Sequence, residues 1–299
     1  MLKQRLKSLM HAVYSRVPRT EKNGILQHFA GGIVQQNQRI LRLMYQDLAR
    51  RGGPMPSLQD VEFRIHSQNG EDGILHYLFS VIGTTNKRVL EVCVQSGIEC
   101  NAANLILNEG WDGLLFDGSP VNIEAGRRYY SRCADTTSLP PRLEAAWITA
   151  ETINELVSKN GFSGEIDLFS LDIDGVDYWI WKALTVVNPR VVALEFNTLW
   201  GPDDAVTVPY NSGFQAEFTP YGPNYAGASL AAFTKLAAEK GYRLVGVERL
   251  SINAFFVRND VATALLPEVS VKSCLDSLYA KHAREFRLPT VRDREWVRV

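Results

Sequence analysis

A chain of 299 residues that is 45% hydrophobic and 22% charged, with a net charge of −1, has the composition of an ordinary soluble globular protein. No apolar run approaches the roughly 20 residues of a membrane span. The four cysteines (Cys93, Cys100, Cys133, Cys274) lack CxxC spacing, so neither a zinc site nor a disulfide framework is indicated and a reducing compartment is expected.

The charge is unevenly spread. Residues 1–53 carry ten Lys/Arg against two acids, residues 54–271 fifteen against twenty-seven, and residues 272–299 seven against four. A basic leader on an acidic body implies different partners for the two. Within the leader, residues 2–17 place Leu2, Leu6, Leu9, Met10, Val13 and Val17 on one helical face. Such a helix suits a second subunit, the body of the same chain, or an anionic membrane surface. No continuous apolar core follows the basic residues, so a secretory signal is not expected. A second helix is predicted over Ile25 to Arg50, carried by Ile25, Phe29, Ile33, Ile40, Leu43, Met44 and Leu48. It stops at Arg51-Gly-Gly-Pro54.

Beyond Pro54, helix and strand alternate. Ser67-Gln-Asn-Gly-Glu-Asp72 opens a helical run from Ile74 to Ile82, with acids at its start as capping and the helix dipole favour. Strands are predicted at 88–94, 112–117, 145–149, 166–172 and 190–196, and helices near 101–109, 120–130, 151–159, 177–185 and 227–240. Tyr242 to Val247 and Asn253 to Val257 are joined by a link too short for a parallel crossover, so they form an antiparallel hairpin. The expected fold is α/β: a Rossmann-like, seven-stranded, mostly parallel sheet ending in an antiparallel hairpin, preceded by a helical extension. The predicted division is 1–53 extension, 54–265 α/β domain and 266–299 tail. The dinucleotide fingerprint G-x-G-x-x-G is absent.

This order resembles the class I S-adenosylmethionine-dependent methyltransferases. Ser67 to Gly73, Glu91 to Asn101, Phe116-Asp-Gly118, Ser170 to Trp179, Val191 to Asn197 and Gly227-Ala-Ser-Leu230 resemble, more narrowly, the FkbM-type methyltransferases and their bacterial relatives of glycan and natural-product pathways. The resemblance covers roughly residues 62–260. It implies that Glu91, Gln95, Ser96, Gly97 and Asn101 form the cofactor turn with Gln68 nearby, that Asp117 takes the ribose, and that Asp172 lies beside them. Cys93, Gln95 and Ser96 stand where the family pattern has Gly or Asp, although a Cβ restricts both close approach and positive φ.

Other residues are candidates on chemistry alone. Asp172-x-Asp174-Gly-x-Asp177 follows the fourth strand, and residues two apart in a strand point the same way. Asp172 and Asp174 could therefore converge on a cation such as Mg²⁺, with Asp177 as a helix N-cap. Glu195, set among apolar neighbours, needs a raised pKa, a metal or an arginine partner. Asp174, Glu195 and His66 are the candidate catalytic groups; Cys93 and Cys100 are expected to be buried packing residues. Residues 198–226 form a long link containing Trp200, Tyr210, Phe214, Phe218, Tyr221 and Tyr225, which suits stacking on a sugar. It contains no basic residue, which argues against nucleic acid.

The expected function is S-adenosylmethionine-dependent O-methylation of a sugar or glycan-related hydroxyl in the cytoplasm. Contact with the inner membrane face or a second copy would run through residues 1–53. The alternative is a non-catalytic binding or scaffold protein with the same fold and a degenerate cofactor turn.

Overall fold

The computed structural model describes residues 19–220 and 222–299, with side chains from residue 32 onward. The predicted helix 2–17 and Tyr221 lie outside the described residues.

The helix α1 (Arg19–Arg51) covers the predicted second helix. Of its apolar stripe, Ile33, Ile40, Leu43 and Met44 are all more than half exposed. Polar and ring contacts hold the described part of the helix to the body. Buried Gln38 donates to Asn104 Oδ1 at 2.9 Å, Arg42 pairs with Glu109, and the Tyr45 ring meets Tyr77 edge-on at 4.9 Å.

The body contains α2 (Glu71–Ile82), β1 (Arg88–Val92), α3 (Ala103–Glu109), β2 (Asp112–Asp117), α4 (Pro120–Tyr130), β3 (Arg142–Ala145), α5 (Ile153–Lys159), β4 (Gly164–Leu171), α6 (Asp177–Ala183), β5 (Val187–Glu195), α7 (Leu230–Lys240), β6 (Tyr242–Val247) and β7 (Asn253–Arg258). Seven strands form one sheet in the order β3-β2-β1-β4-β5-β7-β6. The first five run parallel, and β7 is antiparallel to both β5 and β6. This is the expected Rossmann-like sheet with its terminal hairpin. The buried Glu248 carboxylate closes the hairpin by accepting from the Leu250, Ile252 and Asn253 amides.

Side chains alternate across the sheet as the two-residue strand period requires. Leu90, Val92, Leu114 and Phe116 pack with α5, α6 and α7 on one face. Val89 and Leu115 pack with α2, α3 and α4 on the other. Both faces are covered, which is why the parallel strands read as nearly continuous apolar runs.

An ion pair is buried in this sandwich. Asp167 of β4 is fully buried, accepts from the Thr85, Asn86 and Lys87 amides, and pairs with Arg190 at 2.9 Å. Burial alone would raise its pKa, but the Arg190 bond and the three amides hold it below the ordinary carboxylate range. The stabilisation is therefore present above the unfolded carboxylate range and lost as pH falls through the depressed value. Asp167→Ala is expected to cost about 3–5 kcal/mol, because it leaves Arg190 buried without a counter-charge. Urea melts at neutral pH measure this; a loss of the size seen at exposed sites would show that the pair is not a stabilising element.

Three predicted boundaries need correction. The third strand ends at Ala145, so 145–149 is not a strand; Ala146 to Ile148 leave the sheet, and Ala146 N donates to Asp117 O at 2.9 Å. The long link 198–226 contains short paired segments: Val206–Thr207, which pairs with Val297–Arg298, and Phe218–Thr219, which pairs with Gly222–Pro223. Asp177 is not an N-cap, since Val176 holds that position. Its buried carboxylate instead accepts from the Ile173 and Gly175 amides, bracing the turn ahead of the helix.

The chain returns to this link near its end. Trp296 packs edge-on against Trp200 at 5.1 Å and Tyr225 at 5.0 Å, and Val299 N donates to Ala205 O.

Candidate active site

Strand order fixes where a ligand can enter. The connection after β1 leads toward β2, whereas β4 lies on the opposite side of β1. A crevice therefore opens beyond the carboxyl ends of these strands. Asp117 ends β2, Asp172 follows β4, and Glu195 ends β5. In register, Leu171 of β4 sits opposite Leu194 of β5, so Asp172 comes beside Glu195.

The turn after β1 is built by Glu91. This buried carboxylate accepts from Asn101 N at 3.0 Å, Ala102 N at 2.7 Å and Ser170 Oγ at 3.1 Å, fixing the start of α3. Burial pushes it up, against the pull of these donors. Between Glu91 and Asn101 the backbone takes positive φ three times, at Cys93 (66°), Gln95 (52°) and Gly97 (69°). The path is one that glycine adopts freely, followed here with only one glycine. Gly97 itself points into the core, where an added Cβ would meet Leu115 at 3.1 Å.

Cys93 corrects the expectation of a buried packing residue. It is exposed to the crevice, whereas Cys100 is buried. The Cys93 thiol is pushed far above its usual range, first by desolvation and then by the Asp172 and Asp117 carboxylates. That leaves it a poor nucleophile. It also lines two neighbouring chambers at once.

The first chamber is largely apolar, lined by Val92, Phe116, Trp147, Ile148 and Phe214, with Asp117 on its wall. Trp147 is half exposed and donates through Nε1 to Ser212 O at 2.7 Å. Phe214 approaches Gly175 so closely that a Cβ there would lie 2.9 Å from the ring. Asp117 accepts from Gln95 N at 2.7 Å, Ser119 N at 2.8 Å and Asn122 Nδ2 at 3.3 Å. A carboxylate has about four acceptor sites, so three internal donors leave room for another.

The second chamber, of about 360 Å³, is acidic. Glu71, Glu91, Glu99, Asp172, Asp174 and Glu195 line it, and among the described residues no basic one does. Asp172, Asp174 and Glu195 each offer an oxygen within 4.8 Å of the others. The strand geometry invoked from the sequence is not the cause, because β4 ends at Leu171. Asp174 is carried in by a turn in which its own φ is 50°. Desolvation pushes Asp172 up to about 7, with Asp174 adding to the effect. Glu195 is raised well above its usual range by desolvation and then by Asp172 and Asp174. Among the described residues no arginine pairs with Glu195; it shares a hydrogen bond with Asp172 and holds its proton longest of the cluster. Desolvation raises Asp174 as well.

Gln68, Gln95 and Asn101 also line the acidic chamber. Gln68 is presented by a loop that Asp72 organises, its carboxylate accepting from the Ile65, His66 and Ser67 amides at 2.6–2.8 Å. His66, Ser96 and Gly97 line neither chamber. The His66 ring rests 3.3 Å from Ile98 O. Phe214, one of the link aromatics expected to stack on a ligand, lines the first chamber, whereas Trp147 and Ile148 there, and Glu71 and Asn253 in the second, carry no site role in the sequence reading. Of these, Trp147 and Ile148 had been assigned to a strand. Of the loop aromatics, Trp200 and Tyr225 pack inward, Tyr210 bonds to Glu151, and Phe218 lies exposed beside the acidic chamber.

No protein-family model matches the chain, and no curated protein matches it. Among solved structures it is similar to the magnesium protoporphyrin IX methyltransferase of Synechocystis with bound S-adenosylmethionine, at 10% identity and a TM-score of 0.40, covering 63% of this chain and 77% of that one. It is similar to the N-terminal domain of EvdMO1 with S-adenosylhomocysteine bound, at 14% identity and a TM-score of 0.43, covering 72% and 94%. It is also similar to an S-adenosylmethionine-dependent methyltransferase of Clostridium acetobutylicum, at 9% identity and a TM-score of 0.39, covering 62% and 89%. At these identities and scores the likenesses assign no function.

Proposed function

We propose that this chain is an S-adenosylmethionine-dependent O-methyltransferase of the FkbM type, acting on a hydroxyl of a sugar or glycan-related acceptor. The observation that carries the reading is the pairing of two unlike chambers across Cys93 at the sheet's switch point. The apolar chamber, with Trp147 and Phe214 on its walls and Asp117 beside them, suits a flat base and a ribose. The acidic chamber suits the cationic end of the same cofactor. When bound, that cofactor supplies a methyl group on a sulfonium.

The chain's own residues would position the acceptor and move its proton. The Asp172–Glu195 pair retains a proton at neutral pH, and ionised Asp172 can accept one more; its pKa near neutrality suits a general base. Asp174 is the neighbouring acceptor, while His66 has no place beside the crevice. A divalent ion such as Mg²⁺ is a second occupant that the three carboxylates fit, since hard cations prefer oxygen ligands. The acidic lining opposes nucleic-acid phosphates. No helix among the described residues is long and apolar enough to cross a membrane. A cytoplasmic location, with contact to a membrane surface or a second copy through residues 1–53, belongs to the same proposal.

Calorimetry with S-adenosylhomocysteine tests the reading. Wild type should bind, and Asp117→Ala should weaken binding by roughly tenfold or more, at about 1.4 kcal/mol per factor of ten. Absence of binding to the folded wild-type chain would overturn the proposal. A second reading, a non-catalytic binding protein, draws on Cys93 and Gln95 in a turn shaped for glycine. Methyl transfer that disappears in Asp117→Ala would exclude it.

A further inference from the structure

A third chamber, of about 250 Å³, adjoins the acidic one, with Gln68 and Glu195 lining both. Its chemistry is different. Arg287 and Tyr279, from the end of the chain, form part of its wall together with Thr198 and Asn197. Arg287 makes no ion pair among the described residues. Its Nε donates to Asn224 Oδ1 and its Nη1 to the Tyr279 hydroxyl, both at 2.7 Å. Guanidinium carries five N–H groups, so these two bonds fix the plane of the head and leave the Nη2 pair available. The Nη2 edge lies near Gly222, itself on the chamber wall.

We propose that this chamber binds the acceptor and that the acceptor is an anionic sugar, its phosphate or carboxylate held by the Arg287 guanidinium. This rests on the methyltransferase reading for the role of the neighbouring chambers. The fixed guanidinium, with no ion pair among the described residues, favours an oxyanion, to which its Nη2 N–H groups can donate charge-assisted hydrogen bonds. Glu195, which lines both chambers, and its hydrogen-bonded partner Asp172 receive the hydroxyl that reacts. A second anionic group on that side would face a cluster of carboxylates and be rejected. The two ends therefore select a sugar with one anionic group, held at Arg287.

The test uses the full chain and three probes: glucose 1-phosphate, glucuronic acid and uncharged glucose. Each is titrated calorimetrically with and without saturating S-adenosylhomocysteine. At least one charged sugar should bind roughly tenfold or more tighter than glucose. The advantage should shrink with added salt and vanish in Arg287→Gln, while Arg287→Lys keeps part of it. Preference for glucose 1-phosphate identifies a phosphate, and preference for glucuronic acid a carboxylate. Unchanged S-adenosylhomocysteine binding and melting temperature in Arg287→Gln establish that the variant is folded. If that variant fails to fold, the salt dependence of the wild-type preference decides in its place. Equal affinity of wild type for all three sugars, or no detectable binding of either charged one, overturns the inference. If S-adenosylhomocysteine fails to bind while the charged sugar binds through Arg287, the methyltransferase reading falls and the anion site stands.

Discussion

Cys93→Gly should produce a chain that is both more stable and a tighter binder of S-adenosylhomocysteine. The stability gain comes from the backbone. Cys93 sits at φ 66°, where an L-residue with a Cβ costs roughly 1–2 kcal/mol and glycine costs nothing. Glycine gives back roughly 0.5–1 kcal/mol through the greater freedom of its unfolded chain, so a net gain of about 0.5–1 kcal/mol is expected. The affinity gain comes from the side chain. Cys93 lines both the apolar and the acidic chamber, so its thiol stands where a ligand spanning the two must pass. Removing it should tighten binding by roughly tenfold, about 1.4 kcal/mol. Urea melts and calorimetry on the same protein read the two effects separately. A variant that is stabilised but binds no better would mean that the thiol does not obstruct the ligand; one that is destabilised would discredit the backbone argument.

The second large effect concerns Asp172. Its carboxyl is pushed up to about 7 in the folded chain, against about 3.9 when unfolded. Between those values the folded state binds more protons than the unfolded state, so stability falls as pH rises through the window. Above it the penalty is constant, on the order of 2–4 kcal/mol. Asp172→Asn removes an ionisation that the fold disfavours. It should leave stability near pH 4 almost unchanged and raise it at pH 8 by a similar 2–4 kcal/mol. The same substitution should lower methyl transfer by about 10²–10⁴-fold if Asp172 receives the acceptor proton. Denaturant melts at the two pH values test the first statement. Equal melts at pH 8 for variant and wild type would mean that the carboxylate is already neutralised, and a Mg²⁺-dependent rise in wild-type stability at that pH would identify a bound ion as the reason.

Such a trade, stability surrendered for a cluster of poorly solvated acids, is a common mark of a working site. It was only partly readable from the sequence. Alternating helix and strand patterns, with the short link after Val247, were enough to specify a parallel sheet closed by a hairpin, because burial on both faces leaves apolar runs at a regular spacing. The acids at strand ends were visible for the same reason: a charged residue closing an apolar run has few places to go except the crevice.

Other features depended on contacts that no local pattern encodes. Ala146 to Ile148 has the composition of a strand, yet these residues line the first chamber instead of pairing with a neighbouring strand. Asp177 has the spacing of a helix cap, but its carboxylate turns back to Ile173 and Gly175. Cys93 looked like packing because its neighbours Val92 and Val94 are buried; the positive φ that turns its side chain into the crevice leaves no trace in composition. Arg287 was the least readable, because Asn224 and Tyr279 give it a role only after the chain folds back across the body.

That late return has a consequence for how the protein matures during synthesis. The two chambers flanking Cys93 draw on nothing beyond Asn253, whereas the third cannot exist before Tyr279 and Arg287 arrive. Its rim is then fastened by Val297–Arg298 pairing with Val206–Thr207. At about 5–20 residues per second, roughly two to nine seconds separate emergence of the first set from the last. Until Tyr279 and Arg287 arrive, the third chamber lacks the wall that carries its guanidinium.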